Sequence, residues 1–198
     1  FEDTRNNYDI TLILDSTILI SSQKLEGHIK YQLSKAIDSL SFSIVKKENI
    51  ESKFSLFGFC FDNNKHGISY HSIGVNGASV PSYLRCINLE KQLDLATPDL
   101  VIFSIGINDA YENEFSKESY SKNYDSLIQI IYSVNPEAAI LFTTNNDSYY
   151  HRKYPNKRVY EAKEAMVNLA KSKKLALWDM FEIMGGFNSI QKWYSDDL

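Results

Sequence analysis

Along the first third of the chain apolar and polar residues alternate, and near residue 66 the rhythm changes. Before that point the runs 8–14, 41–46 and 53–61 read as strands. In Phe42-Ser43-Ile44-Val45 and Phe54-Ser55-Leu56-Phe57 the apolar residues recur at roughly every second position, the period that puts side chains on one face of a sheet. Glu48-Asn49 lies between the last two runs and reads as a hairpin connection. Residues 1–65 are therefore expected to form antiparallel β structure, too short to stand as a full sandwich.

After residue 66 the pattern becomes strand, helix, strand. Residues 68–75 read as a strand ending in Asn76-Gly77-Ala78, and 81–95 as a helix with Pro81 in its first turn. The run Asp99-Leu100-Val101-Ile102-Phe103-Ser104-Ile105 is almost unbroken apolar, the mark of a central parallel strand covered on both faces. A helix over 116–133 places Tyr120, Tyr124, Leu127, Ile128 and Ile131 on one stripe. Residues 138–143 give the next buried strand. A helix over 158–171 turns Val159, Ala162, Met166, Leu169 and Ala170 inward. A short strand over 175–178 and a helix starting at 181–184 follow, with Gly185-Gly186 as the helix stop. Successive βα units predict an α/β fold: a doubly wound parallel sheet, flavodoxin-like and three-layered, over residues 66–198, with a partial antiparallel β segment at the N-terminus.

Composition narrows the function classes. The chain has 198 residues, 43% of them hydrophobic, and a net charge of -4, enough for one core plus a small annex. Charged residues of both signs are interspersed. The densest basic cluster, Lys171, Lys173 and Lys174, ends a predicted helix, where cations suit the helix dipole, so no nucleic-acid partner is expected. No apolar run reaches about 18 residues, so no membrane span is expected. Both ends, Phe1-Glu2-Asp3 and Asp196-Asp197-Leu198, read as cut, so the lack of a signal-like segment carries no information on location. Cys60 and Cys86 are isolated, and two buried free thiols are favoured over a disulfide. His28, His66, His71 and His151 have no metal-type spacing, so no metal site is expected, and His71 beside Tyr70 reads as part of a sheet face.

In an open parallel sheet, sites form beyond the carboxyl ends of the strands. Here those exits are Asn76-Gly77-Ala78, Gly106-Ile107-Asn108-Asp109 and Asn145-Asn146-Asp147. Acyl transfer builds negative charge on a carbonyl oxygen, and losing one fixed donor to it costs about 3–4 kcal/mol of transition-state stabilisation. Gly77, without a Cβ, lets a backbone N–H approach closely, and Asn108 offers an amide that is neutral at every pH. On the residues alone a second reading stays open: Asn-Gly is a common turn, and Gly-x-Asn-Asp serves as a tight βα turn with Asp109 as a cap. Asn145, Asn146, Asp147, Tyr149 and Tyr150 follow the third of these strands and are candidates to line the cleft, the first three as substrate-binding residues, against the plainer reading of a polar surface loop. Glu112 and Glu114 read as a solvated face.

The segment Ile73-Gly74-Val75-Asn76-Gly77-Ala78 resembles the second conserved block of the SGNH (GDSL-type) hydrolases, which contributes the Gly backbone donor. Asp99 through Gly106-Ile107-Asn108-Asp109 resembles the third block, a strand followed by GxND, which contributes the Asn. Thr143-Thr144 and Trp178-Asp179 end the next two strands in the expected order. The resemblance implies a serine esterase that needs no cofactor, with Gly77 and Asn108 holding the oxyanion. It also implies two groups that are hard to find here. The family's Gly-Asp-Ser nucleophile block has its nearest match in Leu14-Asp15-Ser16, which lacks the Gly and runs on like a strand through Thr17-Ile18-Leu19-Ile20. Some bacterial members carry a β-sandwich domain between the first and second blocks. Residues 1–65 resemble the tail of such an insertion, which places the nucleophile upstream of Phe1. For the Asp-x-x-His block, no His follows an Asp by three positions near the C-terminus, and Asp197 reads as a solvated chain end more readily than as the triad acid. The chain alone is therefore expected to be inactive. Members with the inserted domain resemble carbohydrate or peptidoglycan O-acetylesterases. The expected partner is thus a small-molecule or glycan ester, acetylated glycans before lipids, outside the cytoplasm, in the periplasm or at the cell surface. The rival expectation is a non-catalytic glycan-binding or surface protein on a decayed hydrolase core. The oligomeric state is left open.

Overall fold

Alternation in the N-terminal region does give antiparallel strands, but they pair differently from the order in which they follow one another. The computed structural model describes residues 1–15, 18–25, 27–63 and 65–196. It divides into Phe1–Ser69 and Tyr70–Leu198. In the first unit β1 (Glu2–Asp3) pairs with β6 (Phe54–Ser55), β2 (Tyr8–Ile13) with β5 (Ser41–Lys46), and β3 (Leu19–Leu25) with β4 (His28–Leu33). The β2–β5 register runs from Tyr8↔Lys46 to Ile13↔Ser41.

Glu48-Asn49 is therefore not a hairpin turn, because the strands on either side of it do not pair with each other. Asn7 grips this stretch instead. Its Nδ2 donates to the Glu48 carbonyl (3.0 Å) and to Ser52 Oγ (2.9 Å), and its Oδ1 accepts the Glu48 N–H (3.1 Å). The expected strand 53–61 contracts to Phe54–Ser55. Beyond it Phe57, Phe59 and Phe61 are exposed, with no described strand to complete a ladder. The β3–β4 hairpin is legible in the sequence only at its start, in the strand-like Ile18-Leu19-Ile20.

The second unit follows its predicted period closely. Its helices are α1 (Val80–Leu84), α2 (Leu89–Leu95), α3 (Lys117–Val134), α4 (Arg158–Lys173), α5 (Met180–Ile183) and α6 (Ser189–Ser195). Strands β7 (Leu100–Phe103), β8 (Ala139–Thr143) and β11 (Ala176–Trp178) form a parallel sheet in the order β11-β8-β7. A small antiparallel hairpin, β9 (Tyr149–Tyr150) with β10 (Tyr154–Pro155), follows β8. Ser116 starts α3, its Oγ accepting the Ser119 N–H. All five predicted residues on the α3 stripe are buried, as are all five predicted on α4, and Ala165 joins them. They pack on Phe103, Ile140 and Phe142, with the Tyr124 ring 5.6 Å from Phe103 and 5.0 Å from Phe142.

The α/β class and the parallel sheet stand, with four local corrections. Leu100 and Ile102, which share the other face of β7, are 53% and 51% exposed, so β7 is not covered on both faces among the described residues. Residues 68–75 form no strand. Ile68 and Tyr70 are 99% and 83% exposed, because strand geometry needs a hydrogen-bonded neighbour and no described residue supplies one. His71 accordingly lies on no sheet face. The helix expected over 81–95 breaks into α1 and α2 at 85–88, where Asn88 favours starting a helix over continuing one. Cys60 and Cys86 are free and exposed, neither buried nor bridged. Among the described residues no helix is long and apolar enough to cross a membrane.

Candidate functional site

The exits of β7 and β8 and the turn at Gly77 carry the chemistry the sequence singled out. Residues 75–78 form a turn closed by the Ala78 N–H on the Val75 carbonyl (3.0 Å). Gly77 sits at its third position with φ +80°, a left-handed conformation for which glycine is the natural occupant. The next carbonyl, that of Ala78, accepts the Asn108 carboxamide Nδ2 at 2.8 Å. Next along the chain from Asn108, Asp109 accepts the Val80 N–H on both carboxylate oxygens, at 3.0 and 3.1 Å. Two consecutive residues after β7 thus clamp positions 78 and 80, and the clamp fixes the Gly77 turn beside Asn108.

Asp109 is a cap, as expected, but of α1 rather than of the helix that follows it in the chain. Burial pushes its carboxyl pKa up, and the hydrogen bond from Val80 opposes that rise. The Gly77 N–H makes no hydrogen bond among the described residues. Asn108 uses one bond of a two-hydrogen amide for the clamp. It is half-committed to structure and half-available.

A depression of about 130 Å³ lies next to this loop, lined by Ser104, Ile107, Thr144, Asn145, Asn146 and Met180 among others. Thr144 is held at its floor, its Oγ1 donating to Asp179 Oδ1 (3.0 Å) and accepting the Phe181 N–H (3.0 Å). No group of three or more His, Cys, Asp or Glu side chains gathers anywhere among the described residues.

Residues 59–198 match the GDSL-like Lipase/Acylhydrolase family. The chain belongs to this family. Its fold is similar to that of a peptidoglycan O-acetylesterase, with 22% identity, a TM-score of 0.56, and 61% of this chain matched to 36% of that one. It is also similar to a lipase/acylhydrolase from Enterococcus faecalis (20% identity, TM-score 0.44, 55% of this chain and 54% of that one). An acetyl xylan esterase, AlAXEase, gives 16% identity, a TM-score of 0.48 and 63% of each chain. The chain therefore spans between 36% and 63% of the length of these structures. No curated protein matches the sequence significantly.

Within this GDSL-type chain the remaining candidates separate. Asn145 is buried at the edge of the depression, and Asn146 lines it while donating from Nδ2 to the Asp147 carbonyl (3.1 Å). Asp147 departs from the expected cleft lining. It is 1% exposed, and its Oδ2 accepts the Ile190 N–H (3.3 Å), which ties the β8 exit to the first turn of α6. Burial raises its pKa, and backbone hydrogen bonds, that from Ile190 first among them, lower it. Ser16 and Asp197 lie outside the described residues.

Two features were not anticipated. One is a ring cluster in which Tyr111 and Tyr150 lie 4.8 Å apart and His151 packs 4.2 Å from Tyr150. His151 and Arg152 turn the hairpin with left-handed φ of 51° and 60°. Tyr149-Tyr150 after a polar run is its only sequence signal. The other is the contact of Tyr120 with Gly106. Helical periodicity assigns Tyr120 to the core, and period alone cannot say what its hydroxyl meets.

Proposed function

We propose that this chain supplies the oxyanion-holding half of a serine ester hydrolase, with the Gly77 N–H and the Asn108 carboxamide as the two donors. The clamp carries the reading: the 2.8 Å bond from Asn108 Nδ2 to the Ala78 carbonyl sets a side-chain amide beside the peptide of a glycine whose own N–H has no described acceptor. As a carbonyl carbon becomes tetrahedral its oxygen gains charge, and donors already in place stabilise that charge with no reorganisation at the moment of reaction. The donors need an attacking serine and a proton-accepting histidine, and none of the described residues is assigned either role. The substrate class we favour is an O-acetylated glycan, supported by the fold likeness to a peptidoglycan O-acetylesterase, acting outside the cytoplasm. Asn146, which lines the depression, is the substrate-facing residue in this reading.

The test is p-nitrophenyl acetate hydrolysis by the full-length gene product and its Asn108→Ala variant. The variant should lose about 10²–10³ in kcat. An unchanged kcat ends the oxyanion assignment. The 198-residue chain alone should turn over nothing measurable, and activity in it would place the nucleophile within these residues.

A further inference from the structure

Gly106 leaves β7 with φ +122° and leads through Ile107 to Asn108. A Cβ at this position would lie 1.9 Å from Tyr120 Oη, 2.9 Å from Asn145 Oδ1 and 3.0 Å from Tyr120 Cζ. The Tyr120 hydroxyl and the Asn145 carboxamide are therefore pressed directly against the backbone of the turn that presents Asn108. One turn further along α3, Tyr124 donates its hydroxyl to the Ile105 carbonyl at 2.6 Å. Two tyrosines on one helical stripe thus hold two consecutive residues of the loop, and Asn145 reaches the same spot from the exit of β8.

Packing does not account for the polar atoms in this contact. Tyr120 and Asn145 are 2% and 5% exposed, and among the described residues Tyr120 Oη and Asn145 Nδ2 are buried without a hydrogen bond of good geometry, the hydroxyl meeting only the side chains of Tyr124 and Asn145. A buried polar group without a partner is destabilising, and a phenylalanine ring would fill the same space without that cost. A hydroxyl and an amide kept under such conditions need a reason other than stability.

We propose that Tyr120 and Asn145 are positioning residues for Asn108, their polar atoms forming a wedge under Gly106 that sets the height of the Gly106–Asn108 turn against the Gly77 turn. This rests on the reading of Asn108 as an oxyanion donor. Without the hydroxyl oxygen, Gly106 settles toward α3 and draws the Asn108 amide away from where the oxyanion forms. Displacements of an ångström or less at a reacting centre are costly in rate and leave binding of the ground state largely unchanged.

Tyr120→Phe, Asn145→Ala, Asn108→Ala and the Tyr120→Phe/Asn108→Ala double variant, made in the full-length gene product, test this with p-nitrophenyl acetate kinetics and thermal melting. Tyr120→Phe should lower kcat about tenfold, and at most a hundredfold, with KM unchanged. In the Asn108→Ala background it should cost nothing further, since a wedge has no function once its amide is gone. A Tyr120→Phe enzyme with wild-type kcat overturns the proposal, and so does an equal loss in the Asn108→Ala background. Should Tyr120→Phe melt more than about 5 °C lower, Asn145→Ala removes the wedge from the other side and must show the same fall in kcat at constant KM. A raised KM at constant kcat would instead make Asn145 a substrate contact and overturn its positioning role. If Asn108→Ala alone is fully active, the oxyanion reading fails. If Asn108→Ala is impaired while Tyr120→Phe and Asn145→Ala are not, only the positioning role fails.

Discussion

The two units of this chain become ordered by different means. Among the described residues, every buried hydrophobic side chain lies between Val80 and Phe181, on α1, α3, α4, α5, the sheet strands and the loops beside them. Among its described residues Phe1–Ser69 has Asn7, a polar residue, as its buried side chain, and leaves Ile13, Ile20, Val45 and Phe59 more than half exposed. A helical stripe at period 3.6 buries its whole apolar face against a sheet in one step. A paired ribbon buries at most one face, and only if a second layer covers it. The first unit is held by ladder hydrogen bonds and by the bonds around Asn7, the second by dispersion and the hydrophobic effect. Alternation in a sequence signals strands, but it does not show that the strands have a core to cover.

The largest test of this contrast truncates an aromatic ring in each unit. Phe142→Ala in the second unit should lower the free energy of unfolding by about 3–5 kcal/mol, measured by urea titration. Phe61→Ala, at a side chain 76% exposed, should change it by no more than about 0.5 kcal/mol. Comparable losses would break the contrast.

A smaller effect sharpens it. Asn7→Ala removes the bonds to Glu48 and Ser52 and should cost the first unit about 2 kcal/mol. In hydrogen exchange the amides of β2 and β5 would lose protection while those of α3 keep theirs. If the α3 amides lose protection equally, the units unfold as one and the contrast in how they are held collapses.

The smallest expected change is in pH dependence and concerns two carboxyls of the second unit. Burial raises the pKa of Asp109 and of Asp147 above ordinary carboxyl values. Such groups take up a proton in the folded state at a pH where the unfolded chain is still ionised. Their contribution to stability therefore grows as pH falls through the raised pKa and is lost as pH rises back through it. Asp147→Asn should flatten the part of a plot of Tm against pH that lies just above the usual carboxyl range. A plot with the wild-type slope would show that Asp147 titrates normally.

How far the sequence can be read follows the same division. The α3 stripe and the inward face of α4 are legible residue by residue, because a helix packed on a sheet leaves one periodic signature and little else to decide. The strand expected at 68–75 does not form because β-branched, aromatic and apolar content records a capacity for pairing, and pairing depends on a neighbour that the local sequence does not name. At the candidate site, Asn108 and Asp109 can be picked out by residue type and by their place after β7, and Gly77 by residue type alone, since the strand expected before it does not form. The clamp that joins them crosses about 30 residues of chain, from 78 to 108, and no local pattern encodes it. Asp147 escapes the sequence for a similar reason: a carboxylate at a strand exit looks the same whether it faces solvent or the first turn of a later helix.

Gly106 has a consequence for anyone who randomises this protein. The smallest substituent at that codon would have to displace both a ring hydroxyl and a carboxamide, in a backbone conformation that disfavours any side chain. A library varying position 106 should return only the parent residue, and varying 120 and 145 alongside it relieves the clash but not the backbone strain.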